Sequence, residues 1–134
     1  DTVAIAAIIQ CLFKMLFGLR CKNQRWREYD RFLIGENRWR AQRYGMSEGL
    51  IDFGRGEVVA FSEQLEELIE LLSPEAAALD CVDELCSARE ILKRGTSADR
   101  QVQVHGEAID AGADSKQALK QVVRSLVDEF SLDI

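Results

Sequence analysis

Gly49–Phe61 reads GLIDFGRGEVVAF, the one stretch where the hydrophobic pattern of this chain leaves a helical period. Leu50, Ile51 and Phe53 precede Gly54-Arg55-Gly56, and Val58, Val59 and Phe61 follow it after Glu57. Glycine takes the positive φ that tight turns require, so the segment predicts a β-hairpin. The pattern on both sides is helical, which makes the expected fold class mainly α with one β-hairpin.

Downstream, Ser62 is placed to cap a helix whose Leu65, Leu68, Ile69 and Leu72 share one face, with Glu63, Glu66, Glu67 and Glu70 turned outward. Ser73-Pro74 is expected to close that helix and start another, because proline at a first helical position lacks only a donor that has no partner there. Val82, Leu85, Cys86, Ile91 and Leu92 then mark a helix ending at Gly95. Thr96 and Ser97 are cap candidates for the next, with Asp99 in capping-box position. Gly112 ends it, and Asp114 with Gln117 opens a last helix with the stripe Leu119, Val122, Val123, Leu126 and Phe130.

Upstream, Asn23 to Tyr44 carries Trp26, Tyr29 and Leu33, with Phe32 and Trp39, at helical spacing. This predicts a helix over a buried aromatic stripe, interruptible at Gly35 and ending at Gly45 as a left-handed cap. The chain begins with an apolar run, TVAIAAIIQCLFKMLFGL at residues 2–19. Gln10 and Lys14 interrupt it, and a central lysine costs about 2.5–3.5 kcal/mol on membrane-insertion scales, so a buried helix is expected rather than a span. The organisation is a single domain or a fragment, with helices over 1–45, a hairpin over 49–61 and a helical region over 62–134.

The chain has 134 residues, 47% of them hydrophobic and 30% charged, which excludes disorder as its main state. One proline and nine glycines exclude collagen-like and proline-rich classes. The net charge of -6 is uneven: residues 1–45 hold nine Lys/Arg against four Asp/Glu, whereas 46–134 hold eight against nineteen. Cysteines at 11, 21, 81 and 86 fit no metal or redox spacing. They read as reduced, mostly buried thiols of a cytoplasmic protein, and no metal site is expected from them.

Arg20 to Arg43 holds eight Lys/Arg among aromatics, but an acidic chain with aromatics at core-like spacing does not read as a nucleic-acid binder. The sharper feature is Glu36-Asn37-Arg38-Trp39-Arg40. On a helix Glu36 and Arg40 are an i, i+4 pair, with Arg43 a further turn along. Arginine forks bind carboxylate or phosphate oxygens bidentately, so the cluster suits an anionic substrate. His105, the only imidazole, lies beside Val102 and Ile109 and reads as half-buried and structural. No G-x-x-x-x-G-K-[ST] is present, so a P-loop is absent.

FLIGENRWRAQRYG (Phe32–Gly45), GLIDFGRGEVVAF (Gly49–Phe61) and ILKRGTSADRQ (Ile91–Gln101) together resemble the C-terminal third of the bacterial glutamate-cysteine ligase type 2 family, the carboxylate-amine ligases. The opening DTVAIAAII and closing ALKQVVRSLVDEF extend the resemblance over nearly the whole chain. It implies the helical part of an α+β catalytic fold related to glutamine synthetase and the guanidino kinases, with the catalytic sheet upstream of Asp1. It implies ATP- and Mg²⁺-dependent joining of glutamate to an amine such as cysteine through an acyl phosphate. By the same resemblance Arg38 and Arg40 face carboxylate or phosphate oxygens as catalytic groups, while Asn37 positions and Glu36 orients substrate. Arg100 and Gln101 are secondary binding candidates for which capping and packing compete. Ala60 departs from the proline expected there. A fragment of this extent is expected to hold part of a site and no turnover alone.

The rival reading is a noncatalytic helical interaction domain whose positive first third meets an acidic partner. The ligase reading expects Arg38 and Arg40 to converge on a concave pocket, and the rival expects them splayed over an open face. Partners under the ligase reading are small amino acids, with no nucleic acid and no membrane. The apolar first helix also offers a face for homo-oligomer formation.

Overall fold

A computed structural model describes residues 2–132. Seven helices and two strands follow one another in it: α1 (Thr2–Cys21), α2 (Arg31–Tyr44), β1 (Leu50–Asp52), β2 (Glu57–Val59), α3 (Phe61–Leu79), α4 (Val82–Cys86), α5 (Ala88–Arg94), α6 (Ser97–Asp110) and α7 (Ser115–Leu132). The described residues thus form the mainly helical fold with one hairpin that the pattern predicts. The chain divides into two units, Asp1–Glu90 and Ile91–Ile134.

In the first unit α1, α3 and α4 pack on one another. Leu65, Ile69, Leu72 and Ala76 recur at i, i+4, i+7 and i+11 of α3, and all four are buried. That face explains a departure from expectation. Ser73-Pro74 does not end the helix: α3 runs through Pro74 to Leu79. A proline inside a helix costs about 3 kcal/mol or more, and the continuous buried face on both sides of it offsets that penalty. Ser73 Oγ donates to Ile69 O at 2.7 Å. Nor does Ser62 cap the helix; Phe61 is already helical, and Ala60 stands at the cap without a side-chain bond.

The first helix also differs from expectation. Only Ala4, Ala7 and Cys11 of α1 are buried, a stripe of small side chains that lets neighbouring backbones approach. Ile5, Ile9, Phe13 and Leu16 on the opposite side are exposed, Phe13 at 71%. By length and composition α1 could cross a membrane, but only 17% of its apolar window is buried within the structure.

The aromatic stretch is likewise less buried and less helical than its spacing suggests. Residues 24–30 carry no regular structure, and α2 starts at Arg31 where Asp30 accepts from Phe32 N at 2.7 Å. Gly35 does not break α2. Gly45 ends it with φ +58° and ψ −122°, a positive-φ cap outside the αL basin, donating to Ala41 O. Trp26, Phe32 and Trp39 are exposed. Tyr29 is half-buried and stacks at a tilt on Phe53, centroids 4.9 Å apart.

The strands pair antiparallel, Leu50 with Val59 and Asp52 with Glu57, around a loop of residues 53–56. Gly56, with φ +74°, is the loop glycine that needs positive φ. The single helix expected over Val82 to Leu92 is two, α4 and α5, interrupted at Ser87. Arg89 joins α5 to α3 through a forked pair with Glu66, Nε lying 2.9 Å from both carboxylate oxygens.

The second unit is led by the helix pair α6 and α7. Thr96 and Asp99 form the expected capping box of α6. Asp114 and Gln117 bond reciprocally at the start of α7, at 2.8 and 3.1 Å. Ala108, Ala118 and Val122 are its buried residues. Of the expected α7 stripe only Val122 is buried: Leu119, Val123, Leu126 and Phe130 are exposed, because the helix turns Ala118 and Val122 into its contact. His105 is half-buried, as its position suggests, though its neighbours Val102 and Ile109 are exposed.

Candidate functional site

The ENRWR cluster lies in the middle of α2, beside β1. Asn37 makes the joint. Its Nδ2 donates to Ile51 O at 2.9 Å, and Ile51 N donates to its Oδ1 at 2.7 Å, so one carboxamide supplies the donor and acceptor that a neighbouring strand would. One turn on, Arg40 Nε donates to Gly49 O at 3.2 Å and Nη2 to Glu48 O at 3.0 Å. The Arg40 guanidinium also lies 5.8 Å from the Tyr44 ring centroid, and Tyr44 meets Trp39 edge-on at 5.6 Å.

Gly49 also lets the chain pass close to the end of β2. Its φ is +70°, and a Cβ there would come within 2.2 Å of Val59 O. From the other side Gln64 Nε2 donates to Leu50 O at 3.1 Å. Strand β1 is thus held by Asn37 and Gln64 in addition to its partner strand, and Arg40 holds the two residues that lead into it.

The hairpin loop is fixed by charge. Asp52 Oδ1 accepts from Gly54 N at 2.6 Å and Arg55 N at 2.9 Å, an Asx turn. The Arg55 N–H, then the Gly54 N–H, holds the Asp52 carboxyl below the usual range. Arg55 itself pairs with Glu63 and Glu67 on α3. A groove of about 490 Å³ opens between these elements, lined by Tyr29, Asn37, Asp52, Phe53, Gln64 and Glu67 among others. A second, of about 620 Å³, lies at the end of α1 against Arg20, Arg25 and Trp26.

Of the candidate site residues Glu36, Asn37, Arg38, Arg40, Arg100 and Gln101, Asn37 is the one that lines the first groove. Arg40 spends its fork on backbone carbonyls. The expected Glu36–Arg40 pair is not formed; Glu36 is half-buried and Arg38 exposed, neither with a hydrogen bond or ion pair among the described residues. Arg100 belongs to the second unit, where it donates to Gly95 O at 2.9 Å and pairs with Glu129 of α7. Gln101 Nε2 donates to Ser97 Oγ at 3.1 Å. Helix packing accounts for both. The Arg55 pairs and the Gln64 anchor were not singled out; the acidic face of α3 opposite Gly54-Arg55-Gly56 was their only signal.

The exposed Arg38 guanidinium fits a phosphate or carboxylate oxygen. A magnesium site does not fit these residues by themselves, since no three of His, Cys, Asp and Glu gather among those described.

Residues 1–126 match the profile described as Glutamate-cysteine ligase family 2, and the chain belongs to that family. It is 54% identical over 127 residues to a protein of Rhodospirillum rubrum, covering 95% of this chain and 33% of that protein. It is 52% identical to one of Jannaschia sp. and 39% to one of Sorangium cellulosum, each over the whole chain and about a third of the relative. All three carry the name glutamate–cysteine ligase 2 as a provisional assignment. The chain spans about a third of the length of these relatives. No solved structure matches it.

Proposed function

We propose that this chain is the helical part of an ATP- and Mg²⁺-dependent ligase that joins a carboxylate, such as that of glutamate, to an amine such as that of cysteine. The observation that carries this reading is the family match over residues 1–126. Activation of a carboxylate by ATP through an acyl phosphate, followed by amine attack, concentrates negative charge that fixed cations stabilise. In this reading Arg38 supplies such a cation on substrate or phosphate oxygens, at the exposed side of α2. Asn37 and Arg40 act as positioning residues, holding β1 against α2 so that Arg38 is presented from a fixed helix. Glu36 orients the bound amino acid. Arg100 serves the packing of the second unit.

The metal and the remainder of the nucleotide site fall to the part of the relatives outside this third, and the catalytic sheet of a glutamine-synthetase-like fold is placed there. Family membership does not favour the interaction-domain alternative. The test is to supply the full-length protein with ATP, Mg²⁺, glutamate and a panel of amines. Amide product with stoichiometric phosphate release supports the reading; no product with any amine overturns it.

A further inference from the structure

Two of the four thiols meet. Cys11 Sγ, from the middle of α1, lies 3.7 Å from Cys81 Sγ, which immediately precedes α4, although 70 residues separate them in sequence. Cys11 is fully buried in the contact between α1 and its neighbours, and Cys81 is half-buried. Asp80, with φ +56°, turns the chain into Cys81, whose N–H is tied to Ala76 O at 3.0 Å, so the second sulfur is held on a fixed corner. Cys21 is exposed and Cys86 accepts from Arg89 Nη1 at 3.3 Å; neither has a thiol contact among the described residues.

We propose that Cys11 and Cys81 form a dithiol site that closes to a disulfide on reaction with a low-molecular-weight disulfide such as cystine. The more accessible Cys81, as its thiolate, attacks one sulfur of the small disulfide, giving a mixed disulfide and releasing one small thiolate. Cys11 then attacks Cys81 Sγ, its proton passing to the departing small thiolate, which leaves as the second small thiol. Two protein thiols are oxidised and one small disulfide is reduced to two thiols. Burial, followed by the contact with Cys81, pushes the Cys11 thiol up to about 11, which makes it the poorer initial nucleophile, and its place 3.7 Å from Cys81 Sγ suits it to the intramolecular step. The sulfurs need to close by less than about 2 Å to reach bonding distance. The bond would fasten α1 to the start of α4 and restrict the unfolded chain over a long loop.

The test treats the full-length protein with cystine under native conditions and maps its peptides without reduction. A linked Cys11–Cys81 peptide is expected, with a melting temperature raised by about 5 °C that dithiothreitol reverses. Cys81→Ser should abolish both effects. Because that variant depends on folding, the peptide map of the unaltered protein decides. Cystine capping that stops at Cys81 with Cys11 still a free thiol, or two thiols that react only in urea, would overturn the proposal.

Discussion

Asn37 and Ile51 exchange two hydrogen bonds, so the side chain of a helical residue completes the main-chain pairing of a strand residue. That relationship fixes the register of α2 against the hairpin. Replacing Asn37 with Ala strips partners from both backbone groups of Ile51, each only part exposed. Leaving such groups unpaired costs about 1–3 kcal/mol. Urea unfolding should show a loss in that range; a change under about 0.5 kcal/mol, the scale of an ordinary surface substitution, would show that the exchange does not hold the hairpin.

Gly49 should tolerate no side chain. Gly49→Ala meets both the positive φ and the Val59 carbonyl. Backbone strain of this kind costs about 1–3 kcal/mol before the clash is counted. A lower melting temperature is expected, together with altered backbone chemical shifts at Glu48 and Gly49, where Arg40 is anchored. Equal stability of Gly49→Ala and the unaltered protein would contradict the described approach of Gly49 to β2.

Acid should weaken the fold through three carboxylates. Asp52 is lowered by the Arg55 and Gly54 N–H groups, Glu66 by Arg89, and Asp99 by the Thr96 hydroxyl and N–H. Each folded-state pKa lies below its unfolded value, so the unfolded chain binds more protons in acid. The stability they supply is present above pH 4.5, the ordinary value of Glu66 and the highest of the three, and is lost as pH falls through the folded values. Denaturation followed from neutral pH downward should steepen there, and Glu66→Gln should flatten part of that slope. A slope unchanged by Glu66→Gln would remove the Arg89 pair from the account.

Leu72 tests the passage of α3 through its proline. It is fully buried two residues before Pro74. Leu72→Ala should cost about 2–5 kcal/mol by cavity formation, read by urea unfolding of the variant. A cost below about 1 kcal/mol, far under the usual range for a buried leucine, would mean that another contact carries the helix past Pro74.

These elements also separate what the sequence discloses from what it does not. The caps at Thr96 and Asp114 are legible because both partners lie within three residues, and the hairpin because its period changes around two glycines. Pro74 misleads because a buried face on both sides of it outweighs a local rule. Residues 2–19 mislead differently: composition announces apolar surface, but three small residues make the packed stripe and the large ones face outward. The ENRWR string is legible as part of a helix, yet the distribution of its side chains depends on the carbonyls of Glu48, Gly49 and Ile51. No spacing within α2 reports where those carbonyls lie.

The most direct measurement is amine-dependent phosphate release by the full-length protein and its Arg38→Ala variant, with the melting temperature of each recorded alongside. Arg38 is exposed and makes no described hydrogen bond or ion pair, so the fold should not change. A fall of about a hundredfold in kcat/KM, about 2.7 kcal/mol of transition-state stabilisation, at unchanged melting temperature is the expected result. Full activity in the variant would contradict the placement of a ligase site at this edge of α2.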